Sequence, residues 1–369
     1  KSVISGGYNT AVGYGALTLN TGNNNTAVGH GALDSNTSGQ QNVGMGRGAL
    51  GSNSTGNNNT GIGRSSLGAN TTASDNTAVG FGSLDVNTSG LNNTAVGSGS
   101  LGSNLTTSRN SAFGFAALSA NIADNNSAFG ELALTANTSG AYGAAFGRET
   151  LKSNTTGGRN SGFGATALKL NTTGDDNTAV GFEALSNNIS GVKNVAIGRS
   201  ALLTNSTHNQ SVAIGFDALK VSTINNATAV GTNALMSQTT GAYNTAVGSS
   251  ACRVNVTGAS NTSMGYYSMY TNAASNNTAI GANSLQYNTS GADHVAIGQN
   301  ALKSNTTGTQ NLAIGMMALN QNTTGTKNTG IGRYALHGGT TQTDNTVVGY
   351  AAGFYNSGSY NTGLGGDAL

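Results

Sequence analysis

Apolar residues in this chain fall on a lattice. A five-residue phrase, Asn-Thr-Ala-Val-Gly or a near variant, returns every 16 or 17 residues, first as Asn9-Thr10-Ala11-Val12-Gly13 and last as Asn361-Thr362-Gly363-Leu364-Gly365. There are 22 copies, so the chain reads as an array of one repeated unit rather than a set of unrelated segments. With the closing glycine as position 0, position −1 is Val, Ile, Phe, Met or Leu in every copy. Position +4 is Leu in nearly every copy, from Leu17 to Leu336, with Cys252, Met269 and Gly353 as exceptions. Position −3 is usually Thr but accepts Val43, Val195, Val212, Val295 and Leu312, and position −2 is Ala, Gly or Ser everywhere except Val347.

Alternation of this kind belongs to a strand, in which −3 and −1 share a side and −2 takes the other. The apolar −1 column and the tolerance of −3 for large aliphatics predict that this side faces the core. The small −2 column then points outward, where its size implies close approach by another backbone or chain. The spacing predicts one short strand over about −4 to 0, a tight turn at Gly(0) and a second short strand over about +3 to +6. An Asn-Thr-x-Gly loop returns the chain, its Asn and Gly suiting left-handed backbone angles. The 16-residue intervals arise mostly in that loop: Asn20-Thr21-Gly22 is one residue shorter than Asn36-Thr37-Ser38-Gly39. Helical repeats are disfavoured by the Gly, Asn and Thr content and by apolar spacing of two.

The expected fold is all-β: a parallel β-solenoid of about 22 coils, with residues 1–369 as one continuous array. At the ~4.8 Å spacing of stacked strands this is a rod on the order of 100 Å long. A 17-residue coil buries few aliphatic side chains, worth about 4–5 kcal/mol at roughly 2 kcal/mol each. Ordering the coil costs more than that, which argues for further burial between sister chains. The start at Lys1-Ser2-Val3-Ile4 and the end at Asp367-Ala368-Leu369, part-way through a repeat, are expected of a piece of a longer fibre protein.

Composition narrows the function. Charged residues are 8% of the chain, there are 57 glycines, and proline and tryptophan are absent. The net charge of +2 comes without any basic run, which gives no case for a nucleic-acid partner. No apolar stretch approaches the ~20 residues of a membrane helix. Cys252 is the single cysteine and sits in the Leu(+4) column, as a buried apolar substitute would. The four histidines share no column on adjacent coils, so neither a metal site nor a nucleophile–base pair is expected. Asp175-Asp176 is the one adjacent acidic pair and reads as a solvated loop, with a weak calcium contact as the alternative. Many Asn-x-Ser/Thr triplets, such as Asn154-Thr155-Thr156, are accounted for by turn chemistry. No cofactor and no catalytic group is expected.

Two surface features remain as candidate recognition sites. Arg47, Arg64, Arg148, Arg199 and Arg333 all occupy +1, beside the turn glycine. An exposed turn face accounts for them, and a discontinuous stripe contacting anionic glycans is the sharper reading. Tyr266, Tyr267 and Tyr270, with Tyr287 one coil on, form an aromatic cluster that either packs locally or stacks on sugars.

The phrases Ser211-Val212-Ala213-Ile214-Gly215, Asn194-Val195-Ala196-Ile197-Gly198 and His294-Val295-Ala296-Ile297-Gly298, each followed by x-x-Ala-Leu or a near variant, resemble the head repeat of YadA-type trimeric autotransporter adhesins. The resemblance covers almost the whole chain. It implies a left-handed parallel β-roll, three chains side by side as a homotrimer, an extracellular setting at a cell surface, and attachment to host-surface glycans or proteins. The adhesin repeat is shorter, near 14 residues, and lacks the Asn-Thr-Thr-Gly loop. The longer form is similar to repeats of phage tail-fibre proteins, which would place the chain on a virion. Both imply a non-enzymatic adhesive or spacing shaft. Two other classes compete. An ice-binding solenoid would use the Thr(−3) column, which the pattern places inside. A β-helical polysaccharide lyase or acyltransferase would need a break in the repeat that gathers catalytic groups, and none is apparent.

Overall fold

A computed structural model describes residues 6–369. The chain is an all-β parallel β-solenoid of about 21 coils, and the described residues contain no helix. It divides into two compact units, Lys1–Ser190 and Gly191–Leu369. The first holds eleven three-residue strands, from β1 (Thr10–Val12) to β11 (Thr178–Val180). Within it neighbouring coils pair in parallel with each copy of the phrase exactly opposite the next, as in Thr60↔Thr77, Gly61↔Ala78 and Ile62↔Val79. The second runs from β12 (Val195–Ile197) to β24 (Thr362–Leu364) with the same pairing, as in Val295↔Leu312, Ala296↔Ala313 and Ile297↔Ile314. It also carries a short second pair, Val221–Ser222 against Ser237–Gln238.

The strand faces the opposite way from the sequence expectation. In β2 (Thr26–Val28) and in most other copies the central residue is buried while its two neighbours are partly exposed. Ala27, Ala78, Ala95, Ala213 and Ala296 have no accessible surface, whereas Met45, Ile62, Phe163, Ile197 and Met264 are 36% exposed or more. The small −2 column therefore lines the interior, and −3 and −1 form an outer face. The physical reason is width. Position −2 shares the interior with Leu(+4): a Cβ added at Gly44 would lie 3.2 Å from Leu33 Cγ, and one at Gly61 3.2 Å from Leu50 Cγ. Leu fills the space, so −2 stays small for intrachain reasons, and the inference that it marks contact with another chain falls.

The second expected strand is also replaced. Positions +1 to +6 are a run of turns in nearly every coil. The +4 residue is left-handed in all twenty coils from Leu17 to Leu336, with φ between 46° and 53°. That conformation costs a non-glycine residue about 1 kcal/mol, which is offset by burying the Leu side chain at roughly 2 kcal/mol. The stack stays hydrogen-bonded through the turn, since Leu50 N–H donates to Ser66 O at 3.0 Å and Leu67 N–H to Ser83 O at 3.0 Å. Gly(0) is fixed by crowding. At Gly46, φ is +133° and a Cβ would lie 2.6 Å from the Gly63 carbonyl of the next coil.

The asparagines are core residues rather than loop residues. Asn(+7) is fully buried in most coils, and in most of these the amide donates to the one before it: Asn53 to Asn36 at 2.8 Å, Asn70 to Asn53 at 2.7 Å, Asn154 to Asn137 at 2.8 Å. The same Nδ2 donates within its own coil, as from Asn53 to Gly56 O at 3.1 Å. Asn(−4) makes a second ladder, in which its Oδ1 accepts the next copy's N–H: Asn42 from Asn59 at 2.9 Å, Asn76 from Asn93 at 2.9 Å. A buried amide with all its partners present carries no desolvation penalty. The ladders thus replace the aliphatic bulk that so narrow a coil cannot hold.

Candidate functional site

With the interior filled by Ala, Leu and Asn, anything the chain recognises must lie on its outer positions. The largest feature there is the face formed by −3 and −1. In the first unit the −1 column runs through Val28, Met45, Ile62 and Val79 to a block of phenylalanines, and in the second through Ile197, Ile214 and Met264 to Ile331. It is apolar in all 22 copies, yet it faces out. Phe113, Phe129, Phe146 and Phe163 stack face to face on successive coils, with centroids 4.6, 4.7 and 4.9 Å apart and planes within 9° of parallel. Periodicity found both columns but not their direction.

The five predicted arginines are exposed. They are not brought together, except that Arg47 and Arg64 occupy successive coils of the first unit. Arg64 lies over the Phe81 ring at 5.5 Å and Arg199 over Phe216 at 5.7 Å, each pair occupying +1 on adjacent coils. Arg333 lies over Tyr334 at 4.8 Å and donates to its Oη at 3.2 Å. Such contacts restrain a guanidinium against the ring face beside it. His30 and Arg47 border an open groove of about 350 Å³ floored by Gly31, Gly48 and Gly51, with Asp34 and Ser52 also lining it.

The tyrosine cluster forms as expected. Tyr266 and Tyr267 are 4.4 Å apart, and Tyr267 stacks on Tyr270 at 4.8 Å. A residue the sequence did not single out completes it: Arg253 lies 5.8 Å from the Tyr270 ring and donates to its hydroxyl at 3.1 Å. Tyr287 instead lies 6.0 Å from the Lys303 ammonium.

Ionisable groups are occupied locally. Glu149 is paired with Lys152 and Lys169 at 2.9 Å each, and these hydrogen bonds, that of Lys169 foremost, hold its carboxyl at about 2. Asp176 pairs with Arg159 at 2.6 Å, and Asp175 accepts the Gly158 N–H at 2.7 Å. Cys252 is 1% exposed in the Leu(+4) column, and burial pushes its thiol up to about 12. Among the described residues no three His, Cys, Asp or Glu side chains are grouped to hold a metal ion. No helix there is long and apolar enough to cross a membrane. Asn154, the first residue of an Asn-x-Thr triplet, is buried as a ladder rung and so is closed to glycosylation in the folded chain.

The repeat does have interruptions. Ser222 and Gln238 replace Asn at +7 on successive coils, and Gly339 replaces it again further on. The first pair coincides with the short second sheet, and the Ser222 hydroxyl and Gln238 Oε1 lack a partner there. Gly339 borders a cavity of about 10 Å³ between Asn322 and Asn356. None of these places gathers carboxylates or a basic side chain with a nucleophile. No family model matches the chain, and no curated protein matches it either.

Proposed function

We propose that this chain is a non-enzymatic structural segment of an extracellular fibre that spaces or carries a binding tip for attachment, on a bacterial surface or a phage. In this reading, copies lie side by side, as a homotrimer, with their −3/−1 faces together. The supporting observation is the outward −1 column, apolar in every copy although a single chain leaves it in water. A file of apolar side chains left at the surface on successive coils is what marks an association surface. In each unit eleven strands carry the face, and at about 4.8 Å per strand and about 10 Å per strand length it is on the order of 500 Å². The exposed +1 arginines and the Tyr266–Tyr267–Tyr270 cluster stay outside that face, free to meet host glycans or proteins. Sedimentation equilibrium should give a trimer and negative-stain images thin filaments; a compact monomer at micromolar concentration refutes the reading.

One observation favours a second reading. The Thr(−3) column faces outward, which removes the earlier objection to an ice-binding face. It runs unbroken through Thr228, Thr245, Thr262 and Thr278. Val, Ser, Ala and Leu interrupt it elsewhere, and its strand-mate at −1 is aliphatic or aromatic rather than a second Thr. Thermal hysteresis of the purified chain would promote this reading over the first.

A further inference from the structure

Position −3 departs from Thr, Val and Leu in just four copies, where it is Ser111, Ser127, Ala144 and Ser161. These are the four copies in which −1 is Phe: Phe113, Phe129, Phe146 and Phe163. No Phe occurs at −1 elsewhere and no Ser or Ala occurs at −3 elsewhere, so the large and small residues are matched coil by coil. Both positions are on the outer face, and the rings stack in one file.

A face that met only water would place no limit on −3 beside a ring. A face pressed against another surface would, because interfaces at their centre pack as densely as interiors. We infer that the Phe113–Phe163 block is a register key for side-by-side association with a second copy of this chain: the ring of one copy takes the space its neighbour clears at Ser111, Ser127, Ala144 or Ser161. The inference rests on the self-association proposed above and adds the alignment. Two features of the face commit it to a second copy. No charged residue occupies −3 or −1 in any repeat, so an acidic or basic partner finds nothing to pair with. The block also carries both halves of the match, rings and cleared positions, on one chain, so a second copy supplies the complement of each.

Alignment is what such an array otherwise lacks. Sliding one copy by a single coil sets Thr-x-Val against Thr-x-Val over much of the face at almost no cost. With the block present, the same slide sets Phe113 or Phe163 against Thr or Val at each end of the block. Overfilling a packed site by a ring forces side chains off their rotamers and is disfavoured. Slipped registers are thereby depleted against the aligned one.

The test uses the full chain in a Cys252→Ala background, with a nitroxide on Ser98→Cys, an exposed-side +1 position. Pulsed dipolar EPR reads label-to-label distances in the assembled protein, and sedimentation reads assembly. The parent chain should give one narrow distance distribution. A chain with the block made regular (Ser111→Thr, Phe113→Val, Ser127→Thr, Phe129→Val, Ala144→Thr, Phe146→Val, Ser161→Thr, Phe163→Val) should still associate but give a broad distribution. A second variant keeps the rings and carries only the four changes to Thr; it should associate at least tenfold more weakly. A regularised chain as narrow as the parent overturns the register key and leaves association standing. So does a Thr variant that melts lower yet associates as tightly as the parent, which would place the size match within one chain. A parent that stays monomeric overturns both proposals.

Discussion

Val347 occupies the room left by Gly353. Val347 is the one −2 residue larger than Ser and is fully buried, and Gly353 is the one +4 position with no side chain. A Cβ added to Gly353 would lie 3.4 Å from Val347 Cγ2 and 3.0 Å from Leu336 Cδ2. The two positions draw on one interior volume.

That sharing predicts a double-mutant cycle. Ala213→Val alone should destabilise the chain by about 1–3 kcal/mol through overpacking against Leu219 of its own coil and Leu202 of the coil before. Leu219→Gly alone should cost about 3–5 kcal/mol through the cavity and the lost side chain. Made together they should cost less than their sum, read by urea unfolding; strict additivity would show that the two sites do not share space.

The Asn ladder predicts that single rungs matter. Asn53→Ala removes donors to Asn36 Oδ1 and Gly56 O and leaves Asn70 Nδ2 without its Asn53 acceptor. The expected cost is about 2–4 kcal/mol, from three lost bonds and buried partners left unpaired. Asn57→Ala, on the loop two residues before the buried Asn59, should cost under 1 kcal/mol. Thermal melts of the two variants compare them directly.

Restoring a missing rung should do the reverse. Gly339 stands where Asn322 and Asn356 flank an empty step of the ladder, and Asn356 Nδ2 has no partner. A Cβ there meets only the flexible Gln342 Oε1 at 3.2 Å within the tight range. Gly339→Asn should therefore stabilise by about 1 kcal/mol, through a filled cavity and reduced freedom of the unfolded chain; a lower melting temperature would show that the step cannot accept a side chain.

His294 makes the chain sensitive to mild acid. It replaces Asn in the −4 ladder: its N–H donates to Asn277 Oδ1 at 3.0 Å, and its Nδ1 accepts the Asn311 N–H at 3.1 Å. Burial lowers its pKa from 6.5 to about 4. The unfolded chain thus binds the proton more readily. Stability is complete above about pH 6.5 and falls as the pH drops towards 4, by about 3 kcal/mol over the window. Protonation at Nδ1 would also break the Asn311 bond. His294→Asn should flatten that part of the pH–stability curve, as urea midpoints at pH 7 and pH 4.5 would register.

Much of the fold is legible in the sequence, because a strict period dictates stacking and the glycines mark the turns. Which side of the strand faces in is not. Alternation groups Thr10 with Val12 and sets Ala11 apart, but it is symmetric under exchange of inside and outside. Bulk at −1 suggested a core, whereas Leu(+4) had already filled it. The Val347–Gly353 pair carried the signal, since compensation in size implies a shared interior. The Asn-Thr-x-Gly pattern assigns Asn53 and Asn154 to turns because Asn is common there; burial, which composition does not encode, makes them ladder rungs. The Tyr266–Tyr267–Tyr270 cluster was visible through proximity in sequence, while Arg253 joins it only through stacking of adjacent coils.

The Asn ladder also makes the coil an interchangeable part. Each rung presents an acceptor to the coil after it and a donor to the coil before it, so a coil removed or duplicated whole leaves its neighbours meeting the surfaces they met already. Length can then be gained or lost in steps of 16 or 17 residues without redesign, whereas loss of one residue within Asn-Thr-Ala-Val-Gly would shift every inward side chain of that coil. Paired departures such as Val347 with Gly353 must travel together, and this confines recombination to joints in the exposed loop after Asn(+7).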